Sequence, residues 1–467
     1  MKKLGRIALR ATAGLIGFLL VIAVCCLDTV DHTPYIRSAY YKQISQRLEA
    51  RMTNNLSVRG EIQAGFGRAK LTPTLNAANP DPAKGQFRAL PLAGYGNRHG
   101  QPSTGVHDDL FVKAVAVKVQ NRVGILFGID ALIVPREVSD AAALRLKQEL
   151  KLERGQLYFS ATHTHCSLGG WGEGWVGEAF AGAFDSGARV WFVECIVAAA
   201  KKAMADLKPA EFGRGHFQAR EFVRNRLVGD LGEVDPEFSF LVLKQTAGKM
   251  AVLGSYSAHA TVQGGSMMEF SADYPGCWQR AVEESTGGMA VFLAGAVGSH
   301  GPVPGDQGFA GADKMGRALA KRLLERLPQT SLTNQIRFGL IALDVALPPL
   351  NTRLTDGLRL RPWVSERLLP PLHDSFLQAL RLDQTIWIST PCDFSGEMAL
   401  RIKDTLRVRG FDGVITSFNG DYIGYVIPRK YYHLDGYEPR IMSFYGPNVP
   451  DYLDELIRKM ALSLIHN

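Results

Sequence analysis

Strand-like and helix-like segments alternate along the chain beyond residue 60. The apolar run VGILFGID (123–130) precedes an amphipathic segment at 138–151, and QLYFSAT (156–162) leads into a glycine-rich loop. The same alternation of strand and helix occurs further along the chain, where the strand-like TIWIST (385–390) precedes the helix-like EMALRIKDTLR. A further strand-like segment, VITSF (414–418), is followed by NGDYIGY. Strands that alternate with helices are typical of an α/β fold, whose strand-end loops usually carry the chemistry. We therefore predict mixed β-sheets flanked by helices.

An apolar segment precedes this body. Residues 11–27 are 17 consecutive uncharged, mostly apolar positions, just long enough for a membrane-spanning helix. Four basic residues precede it and Asp28 and Asp31 follow it, so the positive-inside rule places residues 1–10 in the cytoplasm and the body on the non-cytoplasmic side, periplasmic or extracellular. We predict a single-pass membrane protein whose segment 11–27 is a transmembrane anchor or an uncleaved signal. A cleaved signal peptide is the alternative, although Ala23-Val24-Cys25 is a poor cleavage site.

Residues 28–60 are predicted to form a juxtamembrane helical linker. The stretch 36–56 mixes apolar and basic positions, which fits either an amphipathic helix on the membrane surface or a solvated connector. The first 60 residues contain nine Lys or Arg and three acids, which accounts for +6 of the formal charge of +8. The remaining body is nearly neutral, so nucleic acid is excluded as a partner. The six cysteines form no disulfide framework.

The strongest chemical signal is ATHTHCSLGGWGEG at 161–174. His163 and His165 are two residues apart, so both rings face the same side of an extended strand end. His259 follows another alternating run, and a further histidine, His107, stands beside Asp108 and Asp109. Together with Asp393 and the Tyr422/Tyr425 pair, these side chains supply the nitrogen and oxygen ligands that suit zinc. A shared zinc requires nearest ring nitrogens of His163 and His259 within about 5 Å.

The order of several motifs resembles one family. TGVHDDLFVKAVAV, SATHTHCSLGG, VRNRL, YSAHATV, SADYPG, AGAVGSHGP, TPCDFSGEM and NGDYIGYVIP, spread over about 66–447, are similar to the catalytic domain of the neutral/alkaline ceramidases. The resemblance implies a zinc amidase that cleaves the amide of N-acylsphingosine. It also implies that 61–335 forms the first part of a catalytic domain and that 336–467 supplies further zinc-site residues.

The resemblance carries the family's zinc ligands onto four positions: His163, His259, Asp393 and Tyr425. Asp393 stands where the family has a Glu, one methylene longer, so Glu397 is an open alternative for the carboxylate. Tyr422 is an alternative to Tyr425, because it gives a competing alignment three residues earlier.

The catalytic groups implied by the resemblance are His165 at the scissile carbonyl, Arg226 at the developing oxyanion or a substrate hydroxyl, and Tyr437 at the oxyanion. Asn225, beside Arg226, is a predicted substrate contact. Asp273 is a candidate for orienting a histidine ligand, although a turn residue would look the same in sequence.

The chain departs from the family at the loop 298–303, which reads GSHGPV. Gly301 replaces the family's active-site Ser, so we predict that Ser299 takes a catalytic role and that His300 contacts substrate. Cys166 and Cys392 also replace family residues and are interpreted as buried thiols. The resemblance leads us to expect the catalytic domain without the family's C-terminal immunoglobulin-like domain.

The predicted function is hydrolysis of the N-acyl bond of ceramide or a related lipid by a zinc-activated water. The expected partners are a lipid-like small molecule and the membrane, and the oligomeric state stays open. The alternative from another class is a non-catalytic, membrane-tethered lipid-binding protein that keeps the fold and has lost the serine-containing loop.

Overall fold

The computed structural model describes residues 2–52, 57–369, 372 and 374–466. Met1 of the predicted cytoplasmic segment and residues 53–56 of the predicted linker lie outside them. The helices are α1 (Lys2–Cys26), α2 (Ala39–Met52), α3 (Arg136–Leu150), α4 (Gly174–Ala181), α5 (Ser186–Ala205), α6 (Asp273–Thr286), α7 (Gly308–Arg326), α8 (Pro362–Leu368), α9 (Gly396–Arg407) and α10 (Val449–His466).

The strands range from two to fourteen residues. They are β1 (Leu27–Thr29), β2 (Ser57–Lys70), β3 (Leu92–Ala93), β4 (Gly105–Val106), β5 (Phe111–Val119), β6 (Arg122–Ile129), β7 (Leu157–Ala161), β8 (Ser167–Leu168), β9 (Lys208–Gln218), β10 (Val223–Asn225), β11 (Glu237–Gln245), β12 (Met250–Tyr256), β13 (Glu269–Phe270), β14 (Met289–Ala294), β15 (His300–Pro302), β16 (Gln335–Ala346), β17 (Leu358–Leu360), β18 (Asp374–Leu382), β19 (Thr385–Ser389), β20 (Asp393–Phe394), β21 (Asp412–Thr416) and β22 (Tyr425–Val426).

Twelve of these strands form one mixed sheet that branches at β2. One path runs in the order β14-β12-β11-β9-β2-β16-β18-β19-β21, while β5, β6 and β7 continue from β2 as a second arm. The pairs β6–β7, β12–β14 and β19–β21 are parallel, and the others are antiparallel. Because β16 pairs with both β2 and β18, the segments 61–335 and 336–467 share this sheet.

The second arm folds back over the first. The hydroxyl of Tyr158 in β7 lies 2.7 Å from that of Thr416 in β21, and the Ser389 hydroxyl in β19 donates to the Phe159 carbonyl at 3.0 Å. An apolar core lies between these two layers and includes Leu126, Tyr158 and Trp387. Mixed sheets with a buried face on each side explain the continuous apolar runs that predicted the strands.

Helices cover both outer faces. The helices α3 and α5 share one core with β5, β6 and β7, while α6 and α7 pack on β12 and β14. The helices α2, α9 and α10 cover the other end of the sheet. The close approach of α5 explains Gly67 in the middle of β2, because a Cβ there would overlap the Ala199 carbonyl. The fold class predicted from the alternating pattern is confirmed.

The helix α1 contains the predicted membrane segment. Its stretch Leu9–Cys26 has a mean hydropathy of 2.2 over 18 residues, none of which is buried in the body. The helix α2, in contrast, packs on the body, because its Ile44 and Leu48 are buried. The hydroxyls of Tyr35, in the turn before α2, and of Tyr41 donate to Glu455 at 2.6 and 2.5 Å. Two apolar side chains of α2 thus pack on the body, while most of its other side chains are partly or fully exposed. The juxtamembrane position of 28–60 stays a prediction.

Candidate metal centre

Three histidine rings meet where strands of both layers end. His163 follows β7 and His259 follows β12, while Asp393 and Tyr422 follow β19 and β21. The Ser160 hydroxyl donates to the Ser417 carbonyl at 2.9 Å, so β7 and β21 end at the same edge. The loops at this edge bring together side chains that are far apart in sequence.

The Nε2 atoms of the three histidines point at one another. They are separated by 2.9 Å between His163 and His259, 3.3 Å between His165 and His163, and 3.2 Å between His165 and His259. Nitrogens bound to one tetrahedral zinc at 2.0–2.1 Å would lie about 3.3 Å apart. The three rings could therefore hold a metal ion together, and the requirement set for His163 and His259 is met.

Backbone carbonyls orient the rings of His163 and His259, the two histidines predicted to bind the metal. The Nδ1 of His163 lies 2.6 Å from the Leu132 carbonyl, and the Nδ1 of His259 lies 3.4 Å from that of Val297. When Nδ1 carries the proton and donates it to a carbonyl, the lone pair is on Nε2. This is the tautomer that binds a metal ion through Nε2. Asp273 does not serve this role, because its carboxylate accepts from the backbone of Gln263 and Tyr274.

His163 occupies an unusual backbone conformation. Its φ is +63°, in the left-handed region that residues other than glycine seldom adopt. The position is held by a hydrogen bond from its backbone N–H to the Ala131 carbonyl at 3.0 Å, and its ring stacks on Phe418 at 4.1 Å. Surrounding contacts thus fix a strained residue at the centre of the site.

Burial keeps the three rings neutral. It lowers the pKa of His163 to about 3, and it lowers the pKa values of His165 and His259 well below the ordinary value, with nearby positive charge adding to the effect. A neutral imidazole is the form that binds a metal ion. The site therefore presents three lone pairs at neutral pH.

Asp393 gives an independent test of whether a cation fits. It is fully buried, and burial raises the pKa of its carboxyl to about 7. Oδ2 accepts from the Tyr422 hydroxyl at 2.8 Å, whereas Oδ1, 3.5 Å from the His163 Nε2, has no hydrogen-bond partner among the described residues. A buried carboxylate oxygen without a donor is costly, and a bound cation would satisfy it. The donor set thus fits a zinc ion.

A second group of polar side chains adjoins Asp393. The Arg226 Nη2 donates to the Tyr425 hydroxyl at 2.9 Å, and its Nε lies 3.0 Å from the Glu438 Oε1. Burial disfavours the Arg226 charge, but Tyr425 and Glu438 outweigh burial and raise its pKa. The ring of Tyr437 packs edge-on against Tyr425 at 5.7 Å. The hydroxyl of Tyr425 is therefore bonded to Arg226, while that of Tyr422 is bonded to Asp393.

These groups lie at one side of an apolar cavity of about 210 Å³. His163, His165, Asp393 and Tyr437 line it. Apolar atoms make up most of the wall and come largely from Leu132, Ile133, Pro135, Trp171, Val176, Phe180, Leu350, Leu369, Leu372 and Phe444. A smaller charged part of the wall consists of Arg136, Glu137, Glu173, Arg189 and Asp421. An apolar pocket with a few convergent polar groups is typical of a site for a small amphiphilic molecule.

The loop 298–303 directs its polar side chains into the protein instead. The Ser299 hydroxyl lies 2.9 Å from the Nδ1 of His300 and 3.0 Å from the Ser395 hydroxyl, and the other ring nitrogen of His300 accepts from the Asp235 backbone at 2.8 Å. Neither Ser299 nor His300 lines the cavity in the part of the chain that the structure describes. Their roles in catalysis and substrate binding stay predictions, and the geometry does not bring them to the histidines.

Asn225 and Glu397 are bonded to each other, not to the site. The Asn225 amide donates to the Glu397 Oε1 at 3.0 Å, and its oxygen accepts from the backbone of Leu227 and Val228. The other Glu397 oxygen lies 3.1 Å from the Lys430 Nζ. Of the two carboxylates left open in sequence, Asp393 is therefore the one beside the histidines.

Some functional neighbours have no clear signal in the sequence. Arg98 is buried and donates to the His165 carbonyl at 2.5 Å, and Glu438 pairs with Arg226. Glu438 directly follows Tyr437, which is the one hint available. Cys166 and Cys392 are buried, and burial raises the pKa of the Cys166 thiol to about 12 and raises the pKa of the Cys392 thiol well above its ordinary value.

Comparison with known proteins supports the resemblance drawn from the motifs. Residues 82–299 match the family described as neutral/alkaline non-lysosomal ceramidase, N-terminal. The fold is similar to the crystal structure of neutral ceramidase from Pseudomonas aeruginosa, with a TM-score of 0.70 and 18% identity over 88% of this chain and 75% of that one. A ceramidase complexed with C2 gives a TM-score of 0.71 and 18% identity over 87% and 75% of the two chains. No curated protein matches the sequence. The predicted family resemblance is thus confirmed.

Proposed function

Because residues 82–299 match the neutral/alkaline ceramidase family and the chain shares the ceramidase fold, we propose that this protein is a zinc-dependent amide hydrolase that cleaves the N-acyl bond of ceramide or a related lipid. One observation supports this function above the others. Three neutral histidine nitrogens and an unpartnered Asp393 oxygen converge at the wall of an apolar cavity.

His163, His259 and Asp393 would hold the zinc ion, and the position of the His165 Nε2 makes it a third nitrogen within reach. Zinc held there supplies a Lewis acid and, by lowering the pKa of water to about 7, a nucleophile at neutral pH. The Leu132 carbonyl and the Tyr422 hydroxyl hold His163 and Asp393 in their orientations.

Arg226 and Tyr437 are the proposed oxyanion groups. Arg226 keeps its charge at neutral pH, forms an ion pair with Glu438, and donates from Nη2 to Tyr425 at the cavity wall. Burial raises the pKa of Tyr437, so its phenol stays protonated and can donate a hydrogen bond. Removal of one such donor typically costs about 2.7–4 kcal/mol of transition-state stabilisation.

The proposed substrate is a lipid because the cavity wall is mostly hydrocarbon. Leu132, Trp171 and Phe444 are among the side chains that would contact an acyl chain. Burial of each methylene contributes about 0.8 kcal/mol, which favours a long chain over a short one.

We also propose that α1 crosses the membrane and that the body lies on the non-cytoplasmic side. The stretch Leu9–Cys26 would span about 27 Å as a helix, close to the thickness of the hydrocarbon core. The basic residues before it and the acids after it set the orientation. A signal sequence passes the same test of length and hydropathy and is the alternative.

A non-catalytic lipid-binding protein is the second candidate. The inward direction of Ser299 and His300 favours it, because the loop 298–303 then adds no polar group to the cavity. A binder of this kind has no need for three converging metal-ligand nitrogens, so metal content separates the two functions.

The test is the zinc content of the detergent-purified full chain after zinc loading and removal of excess. We expect about one zinc per chain in the parent and in the control His107→Ala, whose histidine is exposed, and little zinc in His163→Ala. A ceramide-hydrolysis assay then follows. A folded parent without zinc would overturn the metal centre, and bound zinc without amide hydrolysis would favour the binder.

A further inference from the structure

The C-terminal end of α1 is bonded to the body at one place. The carbonyl of Cys25 accepts from the Trp363 Nε1 at 3.2 Å, and that of Cys26 accepts from the Arg361 backbone at 2.8 Å. β1, which follows α1 directly, pairs antiparallel with β17 from Leu27 opposite Leu360 to Thr29 opposite Leu358. The proposed membrane helix therefore ends directly against α8 and against the turn 353–360, which contains β17, is closed by a bridge between Arg353 and Arg359, and is termed the β17 hairpin below.

Residues next to α8 and the β17 hairpin also form part of the cavity wall. Leu369 and Leu372, which follow α8, form part of the cavity wall. The Arg440 side chain donates to the Leu354 carbonyl at 3.3 Å and pairs with Asp356 at 2.8 Å. These contacts join the β17 hairpin to the π-helical turn Tyr437–Ile441, which contributes Tyr437 to the cavity.

Large apolar side chains are exposed on these elements. We term this set of residues the rim: Leu354, Leu358, Trp363, Leu368 and Ile441. Each of them is between 41% and 64% exposed to solvent. Tyr437, at the cavity wall, is 44% exposed. Exposed apolar clusters beside a ligand cavity mark interaction surfaces. A tryptophan next to the end of a membrane helix is typical of the membrane–water interface.

The distances fit a surface that meets the bilayer. Trp363 is bonded to the end of α1, and Leu369 lies at the cavity wall. The two residues are six positions apart, which corresponds to about 9 Å along a helix. The headgroup region on one side of a bilayer is about 5–8 Å thick. The cavity wall therefore begins about 9 Å from the point where the proposed membrane helix ends, a distance slightly larger than one headgroup layer.

We propose that the rim inserts into the leaflet from which α1 emerges, so that the cavity takes its lipid directly from that bilayer. The occupant of this apolar surface is then the membrane itself, because the rim is continuous with the membrane helix. The inference rests on the proposed crossing of the membrane by α1, and the nature of the lipid rests on the proposed function.

Depth-dependent quenching tests the proposal without any assay of activity. The full chain, with Cys25→Ser and Cys26→Ser, carries an environment-sensitive NBD label at Leu368→Cys or at the control Val408→Cys. Val408 is 80% exposed and precedes β21, so it lies at the opposite end of that strand from the site. Each labelled chain is reconstituted in phosphatidylcholine vesicles with and without nitroxide-labelled lipid in both leaflets.

We expect strong quenching and a blue-shifted emission at position 368 and neither at position 408. Equal, weak quenching at both positions would overturn the proposal. A blue shift at 368 without quenching, together with crosslinking between copies, would assign the rim to self-association and would also overturn it. A second label at Leu358→Cys keeps the test valid if one variant fails to fold.

Activity provides a separate readout. We expect Trp363→Ser/Leu368→Ser to lower hydrolysis of vesicle-resident ceramide about tenfold, since two large apolar side chains lose their contact with lipid. Hydrolysis of a water-soluble short-chain amide by the same variant is expected to match that of the parent. Equal loss on both substrates would contradict the proposed role of the rim. Absence of hydrolysis in the zinc-loaded parent would contradict the proposed function but leave the quenching result unaffected.

Discussion

The hydroxyl of Tyr422 holds one oxygen of Asp393 and leaves the other facing His163. The hydrogen bond measures 2.8 Å, and the free oxygen lies 3.5 Å from the His163 Nε2. Partners that orient a metal ligand contribute to affinity although they never touch the metal. Tyr422 is therefore expected to act through Asp393.

Replacement of Tyr422 by Phe removes this hydrogen bond and keeps the ring. We expect the affinity for zinc to fall about 10- to 100-fold, the usual effect of losing such a partner. Titration against a fluorescent chelator measures the affinity. The matched control is Tyr445→Phe, which lines the same cavity but donates to the Leu372 carbonyl. Equal affinities in the two variants would show that Tyr422 does not support the site.

At this scale the sequence predicts residue types better than side-chain directions. The motifs around His163, His259 and Asp393 led to side chains that the structure brings together. Ser299 and His300 were selected by position in the same way, yet their hydrogen bonds to Ser395 and Asp235 draw them inward. Those partners come from distant parts of the chain, so no local pattern could reveal them.

Among the elements, α2 shows how a helix that follows a predicted membrane segment can belong to the folded body. Its buried Ile44 and Leu48 share a core with α9 and α10, and Tyr35 and Tyr41 bind Glu455 on α10. The apolar positions that suggested a membrane-surface helix are thus used for packing. Amphipathicity alone does not distinguish these two uses.

Leu48→Ala tests whether α2 stabilises the body. Leu48 is 1% exposed, and truncation of a buried leucine costs about 2–5 kcal/mol of unfolding free energy. Urea unfolding of the detergent-solubilised chain measures this cost. The exposed control Val408→Ala should change stability by less than about 0.5 kcal/mol. A Leu48→Ala chain as stable as the control would mean that α2 is only loosely attached.

The strand and helix ranges expected from periodicity lie close to the observed ones. The strand predicted at 123–130 is β6 at Arg122–Ile129, and the helix predicted at 138–151 is α3 at Arg136–Leu150. β2, in contrast, contains three glycines and gives no clear strand pattern. The branching of the sheet at β2 and the folding of one arm over the other depend on long-range pairings, which periodicity does not encode.

For the whole molecule, buried acids link stability to pH. Burial raises the pKa of Asp130 and of Asp273 to about 6. An unfolded chain returns each carboxyl to a pKa of about 3.9. Between these values the folded chain holds protons that the unfolded chain has released. The contribution to stability is thus complete below about pH 4 and is lost as the pH rises through about 6.

Asp130→Asn should flatten this pH dependence. One Asp130 oxygen accepts from the Phe111 backbone and the other from the Gln279 amide, both at 2.9 Å, and an Asn with a turned Gln279 amide preserves both contacts. The pKa difference corresponds to at most about 3 kcal/mol between pH 4 and 7. Urea midpoints measured across this range in chelator isolate the effect from zinc binding. A parent and variant with the same pH slope would contradict the assignment.

The paired strands β1 and β17 attach α1, the proposed membrane helix, directly to the body. A catalytic domain on a flexible linker explores a volume of solution set by the length of that linker. A body fixed to a helix that crosses the bilayer, as we propose for α1, would instead keep its cavity at one height above the bilayer and would meet a lipid substrate by diffusion in two dimensions. Turnover should then follow the number of substrate molecules per unit of membrane area. Added inert lipid would slow the reaction even when the amount of substrate per volume of suspension is unchanged.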